Sequence, residues 1–206
     1  MSSSSADRPE PTVDASRRAA STDDAELVGR AAHGEPDALD ALLRRHQHRM
    51  YAICLRMTGN EADARDATQE AMLAVCRGVS RFDQRSSFST WVYRVTTNAC
   101  LDELRRRARR PLASGSPTDL ATRVQAGPDE AVTARLTLDA ALARLPLDFR
   151  AALVLRELCE LDYAEIAEVL RIPPGTVRSR IARARAALSR DLGNRPAPDD
   201  RPTSSP

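Results

Sequence analysis

Arginines crowd the end of one predicted helix, in the letters LRRRARR over residues 104–110. The segment just before this run carries aromatic and amide side chains, among them Trp91, Tyr93 and Asn98. An arginine run is usually a solvated surface, and at a helix C-terminus it also opposes the negative end of the helix dipole. Beside aromatic and amide groups it also suits single-stranded nucleic acid, because rings stack on unpaired bases while arginine contacts the backbone. The segment therefore predicts a single-strand surface, with a solvated charged face as the alternative.

A second arginine-rich segment follows a short turn near the C-terminal end. A short helix over residues 163–170 is predicted to stop at Pro173-Pro174-Gly175, and a long helix capped by Thr176 follows, which together form a helix-turn-helix. At about 100° per residue, Val177, Ile181, Ala184 and Leu188 share one side of the long helix. The opposite side carries Ser179, Ala182, Arg183, Ala186 and Arg190, with Arg178 and Arg180 at its edges. Small residues allow close approach and arginines reach bases or phosphates, so this side is predicted to enter a DNA major groove. An amphipathic helix with a solvated basic face is the alternative.

Cysteines and histidines offer no comparable chemistry. The four cysteines are Cys54, Cys76, Cys100 and Cys159, and none belongs to a CxxC or Cys/His pair with metal-ligand spacing. His33, His46 and His48 form no nucleophile or ligand constellation. We therefore predict no catalytic residue, metal or cofactor, and we expect plain buried thiols. A redox pair of Cys54 and Cys100 is the alternative, since both could face one helical core.

Composition and chain organisation favour an all-α fold of two small helical domains joined by a flexible linker. The 206 residues are 42% hydrophobic and 29% charged, and no apolar run approaches the roughly 20 residues that cross a bilayer. Residues 1–21 lack the apolar core of a secretory signal, so we expect a cytoplasmic protein with no membrane insertion. Proline and glycine between residues 111 and 131 predict the linker. The predicted units are a disordered tail (1–22), two helical blocks (23–110 and 132–192) and a second tail (193–206).

The first block is predicted to contain three long helices. Leu42, Met50 and Ile53 belong to an apolar stripe with helical spacing. Thr58-Gly59-Asn60 is predicted to end that helix, because Gly59 accepts a left-handed conformation and Asn60 can cap the next helix. Further helices are predicted to about Val79 and from about Ser87 to Arg107.

Taken together, these segments resemble the extracytoplasmic-function sigma factors of the sigma-70 family. The letters DATQEAMLAVCRGVSRF and SSFSTWVYRVTTNACLDELRRR resemble the family's region 2, and LARLPLDFRAALVLRELCELDYAEIAEVL and GTVRSRIARAR resemble its region 4. The resemblance covers residues 23–192. It implies a sigma factor that binds core RNA polymerase, recognises minus-thirty-five and minus-ten promoter elements and melts the promoter. An anti-sigma factor is an expected partner.

The resemblance also implies roles for individual residues. Residues matching the helix that family members set against the polymerase clamp are Asp66, Gln69, Glu70 and Leu73, although Glu70 could be an ordinary exposed charge. Residues 82–88, FDQRSSF, match the loop that captures a base flipped from the melted non-template strand, although Phe82 could be simple core. The full minus-ten set is Phe82, Asp83, Gln84, Arg85, Ser86, Ser87, Phe88, Asn98, Arg105 and Arg106. The minus-thirty-five set on duplex promoter DNA is Thr176, Arg178, Ser179, Arg180 and Arg183.

Two other functional classes compete with the sigma-factor interpretation. A self-sufficient transcriptional regulator would use the same helix-turn-helix and bind duplex DNA tightly without polymerase. It gives no reason for the aromatic and arginine residues between 82 and 110. A pure protein-interaction module would make the outer arginines incidental, and an enzyme is the weakest interpretation because no catalytic constellation is visible.

Overall fold

The computed structural model of the chain describes residues 24–109 and 138–193. Eight helical segments lie in these ranges: α1 (residues 24–32), α2 (Pro36–Thr58), α3 (Glu61–Gly78), α4 (Phe88–Arg109), α5 (residues 138–144), α6 (Leu147–Glu157), α7 (Tyr163–Leu170) and α8 (Pro174–Gly193). A 3-10 turn, Val79–Arg81, follows α3. No strand occurs in either range, which confirms the predicted all-α class. Among the described helices, none combines the length and apolar character that crossing a bilayer requires.

Local sequence chemistry sets the boundary between α2 and α3 as predicted. Gly59 adopts the left-handed conformation, with φ of 77°, and its N–H donates to the Leu55 carbonyl. Asn60 Oδ1 then accepts the Asp63 N–H at 2.8 Å and caps α3. A residue with a Cβ would be strained at Gly59, so this glycine makes the sharp reversal possible.

The turn of the helix-turn-helix differs in detail from the prediction. Helix α7 begins with a capping box between Asp162 and Glu165. It ends at Leu170, and the next residue, Arg171, caps it in the left-handed conformation with φ of 55°. The predicted extent of this helix, residues 163–170, is confirmed, but Arg171 caps its end and the predicted stop by Pro173-Pro174-Gly175 is wrong. The predicted Thr176 cap is also wrong, because α8 begins at Pro174 and Thr176 lies within its first turn. A proline in the first helical turn loses no hydrogen bond and has a suitable φ, so Pro174 starts the helix instead of stopping one.

Helices α2, α3 and α4 pack on one another with α1 against them. Their largest fully buried side chains include Leu42, Met50, Val75 and Val92. The apolar stripe predicted for α2 is confirmed at Leu42, Met50 and Ile53, each without solvent exposure. Burial of several such side chains, at about 1.5 to 3 kcal/mol each, stabilises this bundle.

Helices α6, α7 and α8 form the second half and pack against the first. Leu155, Ile166 and Ile181 are buried in one apolar cluster with Ile53 and Met57 of α2. The helix-turn-helix therefore rests on the α2–α4 bundle in this structure. The predicted linker, 111–131, lies outside the described residues, as do both predicted tails apart from Gly193.

Candidate protein- and nucleic-acid-binding surfaces

One face of α3 presents all four predicted polymerase-binding residues to solvent. Asp66, Gln69, Glu70 and Leu73 are each exposed. Steps of three and four residues place them on one helical face. Leu73 is 44% exposed and is one of three exposed large apolar side chains within residues 24–109 and 138–193. A leucine framed by polar and acidic neighbours is suited to contact another protein.

A shallow groove of about 430 Å³ adjoins this face between α2 and α3. Its lining residues are Leu43, Tyr51, Arg65, Thr68, Gln69, Met72, Leu73 and Cys76. Gln69 and Leu73 belong to the predicted set, whereas the sequence did not single out Tyr51 or Met72. Both are half-buried, and their helical spacing alone could not distinguish a groove from a core.

An aromatic cluster supports the loop of the predicted minus-ten set. The ring centroid of Phe82 lies 5.6 Å from that of Phe88 and 5.3 Å from that of Trp91, and Phe88 and Trp91 are 5.5 Å apart. Phe88 is only 5% exposed and Phe82 is half-buried. The alternative of a core role for Phe82 thus has structural support, and the buried Phe88 ring anchors the start of α4.

The loop itself projects its polar side chains. Asp83, Gln84 and Arg85 are exposed, and Gln84 takes a left-handed conformation with φ of 56°. Ser87 Oγ accepts the Thr90 N–H at 3.1 Å and so supports the first turn of α4. The loop is therefore held at both ends, by the aromatic cluster before it and by the Ser87 cap after it.

One side of α4 continues from this loop toward the arginine run. At about 100° per residue, Ser87, Trp91, Asn98 and Arg105 fall on one side of the helix, and Asn98 lies about 15 Å along the axis from Phe88. Asn98 and Arg105 are exposed. Thr97, by contrast, is 1% exposed. Asn98 and Arg105 thus share one exposed side of α4, the helix that begins at the end of the loop.

Acidic partners partly neutralise the arginine run. Arg105 Nη1 lies 3.0 Å from Asp102 Oδ1, and Arg106 pairs with Glu103. Arg107 pairs with Asp63 of α3. Arg105 and Arg106 keep side-chain exposures of 65% and 50%, so both can still reach a phosphate. The exposed pair of Arg105 with Asp102 is worth about 0 to 1 kcal/mol and is readily exchanged for another anion. The Glu103 side chain is only 6% exposed, so Arg106 keeps this partner, because its loss would leave a buried carboxylate unpaired.

A buried ion pair that the sequence did not predict supports the aromatic cluster. Asp24 of α1 is 1% exposed, and its carboxylate lies 2.9 Å from His46 Nε2 and 2.8 Å from Arg45 Nη1. The His46 ring in turn packs edge-on against Phe88, with centroids 5.4 Å apart. Sequence reasoning missed the pair because its members are separated by 22 positions and belong to different helices.

The predicted major-groove side of α8 is exposed as expected. Ser179, Ala182, Arg183, Ala186 and Arg190 all face solvent, whereas Val177, Ile181 and Ala184 are buried. Leu188, also predicted on the inner side, is half-buried.

The remaining residues of the predicted minus-thirty-five set differ in how accessible their side chains are to DNA. Thr176 is half-buried, and its carbonyl accepts the Ser179 hydroxyl at 2.9 Å. The guanidinium of Arg178 lies 5.8 Å from the centre of the Tyr163 ring, which orients it beside α7. Arg180 is turned toward α6, where it pairs with Asp148 at 2.5 Å. Arg183 is therefore the best placed of the three predicted arginines to approach a base edge.

Within residues 24–109 and 138–193, no three His, Cys, Asp or Glu side chains are grouped so that they could hold a metal ion.

Comparison with protein families places the two halves separately. The family model described as Sigma-70 region 2 matches residues 42–110, and the one described as Sigma-70, region 4 matches residues 135–188. The chain is similar to the ECF RNA polymerase sigma factor SigM of Mycobacterium tuberculosis, with 38% identity over 82% of this chain and 85% of the relative.

Two solved structures share the fold. One is CnrH in complex with the cytosolic domain of CnrY, at 26% identity, with a TM-score of 0.63 and coverage of 82% of this chain and 97% of that one. The other is the sigma factor RpoE in complex with the anti-sigma factor NepR from Bartonella quintana. At 20% identity, with a TM-score of 0.60 and coverage of 75% of this chain and 96% of that one, it supports the fold alone.

Proposed function

We propose a division of labour between the two halves of this chain, which belongs to the sigma-70 family and, within it, to the extracytoplasmic-function sigma factors. The chain is an alternative sigma factor that binds core RNA polymerase and directs transcription initiation at selected promoters. The observation that carries this conclusion is the presence of both regions in one chain, in order.

The exposed face of α3 binds core RNA polymerase. Asp66, Gln69 and Glu70 supply polar contacts around Leu73, which inserts an apolar side chain at the edge of the groove. An apolar anchor inside a polar rim is the usual composition of a protein interface. This arrangement supports an assignment first suggested by family resemblance.

The loop at residues 82–88 and the adjoining side of α4 bind the melted minus-ten strand. Asp83, Gln84 and Arg85 are exposed and surround an extruded base once Arg85 releases Asp83, with which it pairs at 3.1 Å. The aromatic cluster fixes the ends of the loop. Asn98 then contacts the strand, and Arg105 and Arg106 hold its phosphates. Flipping a base costs a few kcal/mol of stacking, so a preorganised loop lowers the cost of promoter opening.

Helix α8 enters the major groove of the minus-thirty-five element. Arg183 and Ser179 face outward among small residues, Arg178 extends from the edge of the same side, and Thr176 lies where the helix starts. Arg180 contacts the DNA backbone once it leaves Asp148. Phosphate contacts fix the register of such a helix and base contacts specify the sequence.

The cellular setting follows from this role. We propose that the protein works in the cytoplasm on promoter DNA, performs no bond chemistry itself and is controlled by an anti-sigma factor. The domain limits that we propose are 23–110 for region 2 and 132–192 for region 4, with a tether between them. A binding partner that covers the α3 face would silence the protein, since it would compete with polymerase for Leu73.

Promoter opening in the presence of core polymerase tests the minus-ten assignment. Asn98→Ala should reduce the permanganate reactivity of unpaired thymines at the promoter about tenfold, as expected if about 1.4 kcal/mol of strand binding is lost. Polymerase affinity should stay unchanged. The control is His48→Ala, which removes another exposed polar helical residue outside the proposed DNA surfaces. If the Asn98 variant lost polymerase affinity by the same factor as it lost promoter opening, the assignment would be contradicted.

A further inference from the structure

Two thiols on different helices meet in the core of the first half. Cys54 lies on α2 and Cys100 on α4, and neither has any solvent exposure. Their Sγ atoms are 3.3 Å apart although the residues are separated by 46 positions in the sequence. Such a distance is short for two sulfur atoms that are not bonded, and it singles this pair out from the other cysteines, Cys76 and Cys159, which lie on α3 and beyond the end of α6.

We infer that Cys54 and Cys100 form a redox-active dithiol that closes to an intramolecular disulfide on reaction with a peroxide. A disulfide has an S–S length of about 2.05 Å, so the two sulfur atoms must approach by about 1.2 Å. Closure therefore requires rotations of the two side chains that bring their sulfur atoms together. The expectation of buried thiols is confirmed at Cys54, Cys100 and Cys159, and the proposal adds to it the redox pairing of Cys54 with Cys100.

The two thiols differ in the direction of their pKa shifts, and this difference indicates which sulfur atom reacts first. The Cys100 thiol donates its hydrogen bond to Cys54, and this bond lowers the pKa of Cys54 against the opposing effect of burial, with help from a hydrogen bond of Thr68. The same bond, together with burial, raises the pKa of Cys100. Since the thiolate is the nucleophile, Cys54 is the attacking group.

The reaction balances with peroxide as the two-electron oxidant. The Cys54 thiolate attacks one peroxide oxygen, the O–O bond breaks, and the departing hydroxide takes up the proton that the thiol had released, which leaves a sulfenic acid and one water. Cys100 Sγ then attacks Cys54 Sγ, an S–S bond forms, and the sulfenic oxygen leaves as a second water with the Cys100 proton. Two thiols are oxidised and one peroxide is reduced to two waters.

Burial and helix position determine the consequences. A buried pair reacts only when the bundle opens transiently, so oxidation is slower than that of an exposed thiol. Once formed, the bond links α2 to α4 and lowers the conformational entropy of the unfolded chain. The oxidised protein should therefore unfold at a temperature several degrees higher than the reduced protein.

Peptide mapping of the full-length chain after treatment with hydrogen peroxide tests the inference. The protein is then unfolded in denaturant that contains N-ethylmaleimide, which blocks every remaining thiol as it becomes exposed. Cleavage by trypsin after arginine places the four cysteines in four separate peptides. The expected product joins residues 50–56 to residues 95–105 and disappears with dithiothreitol. Cys100→Ala should abolish this product, and a Cys76→Ser, Cys159→Ser double variant should retain it.

Two results would overturn the inference. One is recovery of peptides 50–56 and 95–105 with both cysteines modified by N-ethylmaleimide, under conditions that oxidise the half-buried Cys76. The other is a statistical mixture of pairings, which would show reaction of unfolded chains. The map of the unaltered chain distinguishes these results even if a cysteine variant folds poorly.

Discussion

Arg150 of α6 reaches across to α2, where its Nη1 donates to the main-chain carbonyl of Met57 at 2.6 Å. Its other amino group donates to the carbonyls of Ala143 and Leu145. The side chain is almost fully buried, and the loss of water lowers the pKa of the guanidinium. Arg150 thus supplies hydrogen-bond donors to the carbonyls at the end of α2 and before α6, where the two halves are in contact.

Replacing this arginine should destabilise the fold. Arg150→Met keeps the aliphatic stem but leaves three carbonyl acceptors without their charged donor, so the free energy of unfolding should fall by about 2 to 3 kcal/mol. Urea denaturation followed by circular dichroism measures the change. Arg144→Ala is the control, because the Arg144 side chain is 70% exposed and its pair with Asp191 is 3.7 Å long. A similar loss in both variants would show that the buried hydrogen bonds have no special role.

The buried pair of Asp24 and His46 predicts a pH-dependent contribution to stability. Burial acts to raise the pKa of Asp24, but hydrogen bonds and positive charge from His46 and Arg45 outweigh it and hold the pKa below its ordinary value of 3.8. A lowered pKa in the folded state stabilises the fold above the unfolded pKa, and this stabilisation is lost as the pH falls through the folded pKa. Asp24→Asn should therefore cost about 1 to 3 kcal/mol at neutral pH.

The difference between the native chain and this variant should shrink in acid. Unfolding free energies of both chains at neutral pH and below the ordinary pKa of Asp24 measure it. If the difference in unfolding free energy between the two chains stayed constant across this range, the ionised Asp24 carboxylate would not be stabilised by His46 and Arg45.

The exposed leucine of α3 should matter for polymerase binding more than for folding. Leu73→Ala removes an apolar anchor, and we expect the dissociation constant for core RNA polymerase to rise about tenfold, equivalent to about 1.4 kcal/mol. Fluorescence anisotropy of labelled protein with purified core polymerase measures this constant. Leu192→Ala is a matched control, since Leu192 is 41% exposed but lies near the end of α8. Equal affinities for the Leu73 variant and the native chain would remove the α3 face from the interface.

An outward-facing arginine of α8 should contribute to promoter choice. Arg183→Ala should weaken promoter-specific binding of the holoenzyme by about 1 to 3 kcal/mol if the side chain reads a base. Arg185→Ala is the control two residues away, because Arg185 pairs with Glu157 at 2.5 Å. Mobility shifts on native and scrambled minus-thirty-five elements measure the effect. Loss of affinity on both DNAs alike would indicate a phosphate contact.

Features set by neighbouring residues were predictable from the sequence. Gly59 and Asn60 end one helix and start the next through local conformational preference, and the outer side of α8 follows from helical spacing alone. The start of α8 was misplaced because Pro174 can either break a helix or begin one, and sequence alone does not decide between them.

Features that depend on contact between distant segments were beyond such reasoning. The pairing of Asp24 with His46, the burial of Arg150 against Met57 and the 3.3 Å approach of Cys54 to Cys100 each join different helices. Helical spacing placed Cys54 and Cys100 toward a core but could not set a distance. The ion pair of Arg180 with Asp148 could not be predicted either, because it depends on the position of α6 relative to α8.

Reconstituted run-off transcription is the most direct measurement of the central claim. Purified protein is added to core RNA polymerase from a related bacterium on a pooled genomic promoter library. We predict discrete transcript starts that depend on the added chain and share two upstream elements. An absence of such starts, combined with tight duplex binding that needs no polymerase, would contradict the account and favour a self-sufficient regulator.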